Sequence, residues 1–301
     1  SHQPSRIRDA YGRLVDDPLD PLVNRAVERT YPPGSTFKLI TTAAALAAGY
    51  TPDRRIPSPT VLDLPGTTAD LGNFGGERCG NGRTTTLADA LRISCNTAYG
   101  GLGLALGDAK LRAQAEAFGF GSSGLRLPQR VATSVFPDDL TRAQVAQSAI
   151  GQFDVRVTPL EMAMVAAGIA NGGEVMRPYL VKQVLAPDLS ALSLASPSVL
   201  SRAVSSQVAQ LLTSMMELVV TSGTGTRARI PGVRVAGKTG TAQHQLGEPP
   251  HAWFVGFAPA NDPQVAVAVL VEDGGNLGSD ATGGKVAAPI AKAVMQAVLG
   301  G

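Results

Sequence analysis

Cysteine and histidine are scarce in this chain of 301 residues, which holds two of the first and three of the second. His244 and His251 stand seven apart, with prolines between them and no cysteine near in sequence. That fits no zinc spacing, so neither a metal nor any other cofactor is expected. The shortage of histidine also weakens a Ser-His-Asp triad, and no G-x-S-x-G elbow occurs. A serine enzyme built on this chain has to draw its base from lysine. Long apolar runs are missing too: none approaches the roughly 18 residues of a membrane helix. The opening "SHQPSRIRDAYGRL" is polar and mixed in charge, unlike a signal peptide, which points to a fragment whose export or anchoring segment lies upstream. Charge of one sign is lacking as well. A net charge of +2 with scattered Lys and Arg makes no basic stripe, so nucleic acid is not an expected partner. What remains is a globular composition, 44% hydrophobic and 17% charged, long enough to bury a large core.

Against this background "YPPGSTFKLITT", residues 31 to 42, poses a problem. Pro32, Pro33 and Gly34 stop whatever precedes them, and from Phe37 to Ala48 the chain is apolar or small except for Lys38. The pattern predicts a helix with Ser35 in its first turn and Lys38 one turn on, on the same face. An almost uncharged helix is usually buried, and burial lowers a lysine pKa, which suits a general base that takes a proton from a serine. The plainer alternative is a Ser N-cap followed by a lysine that snorkels to solvent.

Two further pieces carry the same ambiguity. Ser94, Cys95 and Asn96 form an S-x-N step inside helical sequence; a hydroxyl and an amide two apart can relay a proton and hold a carbonyl, or can simply close a helix end. Lys238, Thr239, Gly240 and Thr241 lie in a predicted strand. Its period of two puts Thr239 and Thr241 on one face and Lys238 on the other, unless Gly237 and Gly240 permit a local twist. Gly240 also lets another backbone, such as an extended peptide, come close, beside hydroxyls and an ammonium suited to a carboxylate. The stretch "GVRVAGKT" satisfies the Walker A expression, but "VRVA" prefers a strand and no helix follows Thr239, so a phosphate cradle is not expected.

Along the chain, residues 9–30 read as helical pieces and loop, and "PSPTVLDLPGTTADLGNFGGERCGNGR" (57–83) as an irregular excursion with short strands. Helical patterns follow at 86–106, interrupted at "SCN", then at 109–118, 141–149, 159–170 and 202–220, so the middle is read as mostly helical. The last 70 residues change character: "VRVAGKTGTAQ", "HAWFVGFAP" and "QVAVAVLVED" read as strands with antiparallel links, and residues 284–299 as a final helix. The expected fold is α+β, an antiparallel sheet covered by helices plus a helix-rich lobe.

S-x-x-K, S-x-N and K-T-G, in this order and at these separations, resemble the active-site set of penicillin-binding proteins and serine β-lactamases. "YPPGSTFK", "SAIGQFDVRVTPLEMA", "IANGG", "RPYLV", "TSGTGTRARIPGVRVAGKTGTAQ" and "HAWFVGFAP" are similar to class B penicillin-binding proteins, over nearly everything from about Asn24 onward. The resemblance implies one transpeptidase domain over 1–301, with the helix-rich lobe at about 50–220, the sheet and C-terminal helix at about 230–301, and the active site between them. It implies an N-terminal anchor and further domain absent from this chain, and a place on the outer face of the cytoplasmic membrane. It also implies the substrate, a peptidoglycan stem peptide ending in D-Ala-D-Ala, covalent inhibition by β-lactams, and a cell-wall synthesis complex as partner.

By the same resemblance Ser35 is the nucleophile, Lys38 its base, Ser94 the proton shuttle and Asn96 a holder of the substrate amide. Lys238, Thr239 and Thr241 recognise the terminal carboxylate beside Gly240, and the backbone N–H groups of Ser35 and Thr241 form the oxyanion hole. The chain departs from the family in carrying Cys95 where many relatives have Asp, and in showing no strand-turn-strand in the 34 residues before Ser35. Either that hairpin is missing or the sheet is short of strands. Runner-up activities are a D,D-carboxypeptidase or β-lactamase, which send the acyl group to water, and a non-catalytic β-lactam sensor. No E-x-x-L-N loop is present, so slow deacylation is expected. An exported location lets Cys79 and Cys95 pair, the alternative being two buried thiols; a bridge would close about 16 residues and contribute about 3 kcal/mol in the chain-entropy model.

Overall fold

The computed structural model describes residues 4–123, 125, 127–245 and 247–300. Two helices open it, α1 (Pro4–Val15) and α2 (Arg25–Glu28), the second started by Asn24, whose side chain accepts from the Ala26 amide. Pro32, Pro33 and Gly34 then lead into a 3-10 turn, Gly34–Phe37, that runs on into α3 (Lys38–Ala47). Every α3 residue except Ala47 is buried, as its uncharged sequence requires. Ser35 thus sits in the 3-10 turn and not in the first turn of the α-helix.

The Gly- and Pro-rich excursion is held by short strands. β1 (Arg55–Pro57), β2 (Val61–Asp63), β3 (Asp70–Gly72) and β4 (Thr84–Thr86) form two antiparallel pairs, β1 with β4 and β2 with β3. α4 (Leu87–Arg92) starts where the Thr86 side chain accepts from the Asp89 amide, and it ends before Ser94, whose φ of 64° no helix continues. α5 (Asn96–Leu106) resumes at Asn96. The helical pattern at 86–106 is therefore two helices around the "SCN" break. α6 (Asp108–Phe118), α7 (Arg142–Ser148) and α8 (Pro159–Ala170) follow; Thr141 and Gln144 make a reciprocal capping box on α7, and Thr158 caps α8 ahead of Pro159.

Between α8 and the next helix the structure corrects the mostly helical reading of the middle. β5 (Glu174–Met176), β6 (Gln183–Leu185), β7 (Ala191–Leu194) and β8 (Val199–Arg202) pair antiparallel, β5 with β8 and β6 with β7. Both β6 and β7 are exposed on both faces, so no apolar alternation marks them. α9 (Ser206–Ser222) begins four residues later than its pattern, because the chain up to Arg202 is drawn into β8 and the Ser205 side chain caps the helix.

The C-terminal sheet has β9 (Ala236–Ala242), β10 (His251–Ala258) and β11 (Val265–Val271), antiparallel in the order β11-β10-β9. The helix α10 (Ala288–Leu299) closes the chain. β10 is buried along its whole length and its two faces feed two cores. Trp253, Val255 and Phe257 join the large core of α3, α8 and α9, while Phe254 joins Ala288, Ala291 and Met295 of α10. Each such large apolar side chain is worth about 2 kcal/mol relative to exposure, so the sheet is pinned from both sides. Before Ser35 the described residues form helices and one isolated bridge, Tyr31 to Val157, but no hairpin; the sheet has three strands among the described residues. No described helix is long and apolar enough to cross a membrane.

Candidate active site

Ser35, Lys38, Ser94, Asn96 and Lys238 come from three separate elements, and the elements meet. The 3-10 turn carrying Ser35 lies against β9. Gly34, at φ +51°, is pressed so close that a Cβ there would stand 2.7 Å from Thr241 O. Gly34 also donates its amide to Gly151 O at 3.0 Å, which braces the turn from the other side. The close approach predicted at Gly240 is occupied by the chain itself, since a Cβ on Gly240 would meet Thr36 Cγ2 at 2.9 Å and Pro33 O at 3.0 Å. Side chains three apart in a 3-10 turn eclipse, which sets Lys38 above Ser35.

Lys38 is buried and its Nζ has three partners: Ser94 O at 2.7 Å, Asn96 Oδ1 at 2.8 Å and Ser94 Oγ at 3.2 Å. Ser35 is not among them. The left-handed backbone at Ser94 turns its carbonyl and its hydroxyl to the same amine. Lys238, also buried, donates to Ser94 Oγ and to Thr239 O, both at 2.8 Å. The Ser94 hydroxyl therefore lies between two lysine amines. Burial drives the Lys38 pKa well below its ordinary value, and the neighbouring Lys238 pushes it further down. Burial brings Lys238 to about 7.

The strand period separates the rest of the third motif. Lys238 reaches Ser94, whereas Thr239 turns the other way and its hydroxyl is 2.5 Å from that of Thr224. Thr241 faces Ala252 across the sheet and is half-buried. Sequence reasoning singled out neither Thr224 nor Asn73. Asn73 Oδ1 accepts from the amides of Asn96 and Thr97 at 2.8 and 3.1 Å, so a residue of the excursion caps α5. Asn96 Nδ2 in turn donates to Gly72 O at 3.1 Å. Nothing local in sequence announces a cap from 23 residues upstream; Thr224 at least lies in the "TSGTGT" stretch that carries the family likeness. Tyr99 was also missed: its ring lies 5.4 Å from Lys38 Nζ and its hydroxyl 2.6 Å from Thr42 Oγ1.

Cys79 and Cys95 are joined, with Cα atoms 6.1 Å apart, so the excursion is tied covalently to the residue between Ser94 and Asn96. His244 and His251 lie at opposite ends of the connection from β9 to β10, yet their rings stack 3.9 Å apart.

This fold and this convergence define a penicillin-binding transpeptidase domain. Residues 1–296 match the family described as the penicillin binding protein transpeptidase domain, and the chain belongs to that family. Within class B, the sequence likeness points to the actinobacterial penicillin-binding protein A, and the comparisons agree. The chain is 50% identical over 302 residues to the peptidoglycan D,D-transpeptidase PbpA of Mycolicibacterium smegmatis, covering 99% of this chain and 61% of that protein. It is 48% identical over 307 residues to PbpA of Mycobacterium tuberculosis, covering 100% of this chain and 62% of that one. The solved ceftriaxone acyl-enzyme complex of penicillin-binding protein A from M. tuberculosis superposes with a TM-score of 0.93 at 48% identity, covering 99% of this chain and 67% of that one. The chain thus spans about three fifths of the length of these curated relatives.

Proposed function

We propose that this chain is the catalytic domain of a peptidoglycan D,D-transpeptidase. The observation that carries the reading is the double anchorage of Ser94 Oγ, by Lys38 at 3.2 Å and by Lys238 at 2.8 Å, beside the turn that holds Ser35. A neutral Lys38 amine has two hydrogens and one lone pair. Ser94 O and Asn96 Oδ1 take the hydrogens, which leaves the lone pair to a hydroxyl: that of Ser94 at rest, or that of Ser35 as it attacks.

In this mechanism Ser35 Oγ forms a bond to the penultimate D-alanine carbonyl carbon while its proton passes to Lys38. The C–N bond to the terminal D-alanine then breaks, and Ser94 relays a proton to the departing nitrogen. An amine from a second stem peptide attacks the resulting ester, gives up its proton along the same path, and frees Ser35. The amides of Ser35 and Thr241 stabilise the oxyanion; losing one such donor costs about 3 kcal/mol of barrier. The Thr239 and Thr241 hydroxyls, on one face of β9 beside Gly240, receive the terminal carboxylate. Lys238 holds Ser94 on the other side and lends its positive charge to the same carboxylate, and Asn96 holds the substrate amide. A β-lactam enters the same path, but its leaving nitrogen stays tethered to the acyl group.

The unit of function is the whole chain, 1–301, with the helix-rich lobe at about 50–220 and the sheet and last helix at about 230–301. Its place is the outer face of the cytoplasmic membrane within a cell-wall synthesis complex. The solved relative's acyl-enzyme with ceftriaxone supports the β-lactam reading. The test is aminolysis: a donor peptide ending in D-Ala-D-Ala, given a D-amino acid acceptor, should yield the exchanged peptide with release of D-alanine, and Ser35→Ala should not. Hydrolysed peptide alone would favour a carboxypeptidase.

A further inference from the structure

His244, His251 and Asp273 play no part in the mechanism above, and sequence spacing gave the two histidines no third ligand. The fold supplies one. Asp273 follows the end of β11, and its Oδ1 lies 3.2 Å from His244 Nε2 and 3.4 Å from His251 Nδ1. One ligand atom from each of the three residues falls within 4.8 Å of the others. We propose that these three side chains form a divalent-cation site of the zinc class, joining the connection after β9 to the end of β11.

Three observations favour it. A tetrahedral ion with ligand bonds of about 2.0–2.1 Å separates its ligand atoms by about 3.3–3.4 Å, and the two N to O separations already match that spacing. Two imidazoles and one carboxylate leave a fourth position for water, a donor set that suits zinc and poorly suits magnesium or calcium. Finally, the site is braced from behind: Tyr31 meets the His251 ring edge-on at 5.5 Å and donates its hydroxyl to Glu272, the residue before Asp273. His244 Nδ1, the ring nitrogen away from Asp273, is buried without a hydrogen-bond partner, so turning this ring breaks no bond on that side.

Binding needs a small rearrangement. An imidazole binds a metal in its own ring plane, so the stack of His244 on His251, 5° from parallel, has to open. His244 is the ring free to swing, because it sits on the loop side of the connection and is less buried than His251. His251 Nδ1 also accepts from the Asp273 amide at 3.1 Å, a bond the metal displaces. Asp273 stands at φ 51° among glycines, where the backbone can give. The ion would fasten the chain three residues past Thr241, and so stiffen one rim of the proposed peptide site.

The test takes the full chain, stripped with a chelator, and adds zinc alone under calorimetry, with cobalt as a spectroscopic stand-in. One ion should bind per chain, cobalt should show the strong visible bands of a tetrahedral site, and zinc should raise the melting temperature. His244→Ala and Asp273→Asn are the variants, since neither side chain is fully buried and Asn tolerates the left-handed backbone. Each should weaken zinc binding at least tenfold and abolish the thermal shift, with the metal-free melting temperature nearly unchanged. No binding at millimolar zinc, or binding unaffected by both variants, overturns the proposal.

Discussion

Lys238 donates from Nζ to the hydroxyl of Ser94 at 2.8 Å across 144 residues of sequence, and no carboxylate pairs with it among the described residues. A buried amine with only neutral partners is held by desolvation alone, and its pKa falls to about 7. Folding then depends on pH. The unfolded lysine titrates near 10.4, so between about 7 and 10.4 the unfolded state binds more protons, and stability rises with pH. The window to use lies above 8, where Glu161, whose burial holds its carboxyl near 8, is mostly ionised. From pH 8 to 9.5 the unfolding free energy should climb by roughly 1 kcal/mol per pH unit from Lys238. By urea unfolding at each pH, Lys238→Met should lose about that much of the slope, while the depressed Lys38 keeps a share of its own.

Lys38 is driven well below its ordinary value by burial and by Lys238. If it is the base, the acylation rate should rise with pH along a limb whose midpoint lies far below the 10.4 of a free lysine. Lys38→Arg should lose about 100-fold or more in rate and lose the limb. Stopped-flow acylation across pH 5 to 9 reads both; a flat wild-type profile that Lys38→Arg shares counts against a base role.

Gly34 is the residue through which the Ser35 turn touches β9. An alanine there must hold φ +51°, which costs about 1–2 kcal/mol, and must push its Cβ away from Thr241 O at 2.7 Å. Gly34→Ala should therefore slow β-lactam acylation more than tenfold, because the shift falls between the two proposed oxyanion donors. Gly49→Ala, also at positive φ but in open space, is the control: it should lose stability by a similar backbone term and keep its acylation rate.

These cases mark where the sequence was legible. Ser35 and Lys38 fall close in space because three residues within one turn fix their relation, yet the Lys38 amine bonds to Ser94 and Asn96 and not to Ser35, contacts that only the tertiary fold supplies. The β9 and β10 strands were readable as apolar or alternating runs. The short exposed strands β6 and β7 had no buried face to impose a pattern on their residues. Contacts closed by tertiary structure left no local trace: Asn73 capping α5, Thr224 against Thr239, Asp273 completing the two histidines. Even the Ser35 turn was misjudged in kind, since neighbouring β9 draws Gly34 into a conformation that starts a 3-10 turn.

The bond between Cys79 and Cys95 closes a loop of 16 residues, worth about 3 kcal/mol in the chain-entropy model. It holds the excursion whose Asn73 caps α5 at Asn96. Reduction should therefore lower the melting temperature and slow penicillin acylation together. Calorimetry and labelling, with and without reductant, decide it, and two thiols titrating in the denatured, unreduced protein would show that no bond was present.

Penicillin labelling followed by intact mass and peptide mapping reads whether Ser35 is the nucleophile. One adduct per chain is expected, on the peptide containing Ser35, stable for minutes or longer, and absent from Ser35→Ala. An adduct on any other residue, or one that persists in Ser35→Ala, contradicts it.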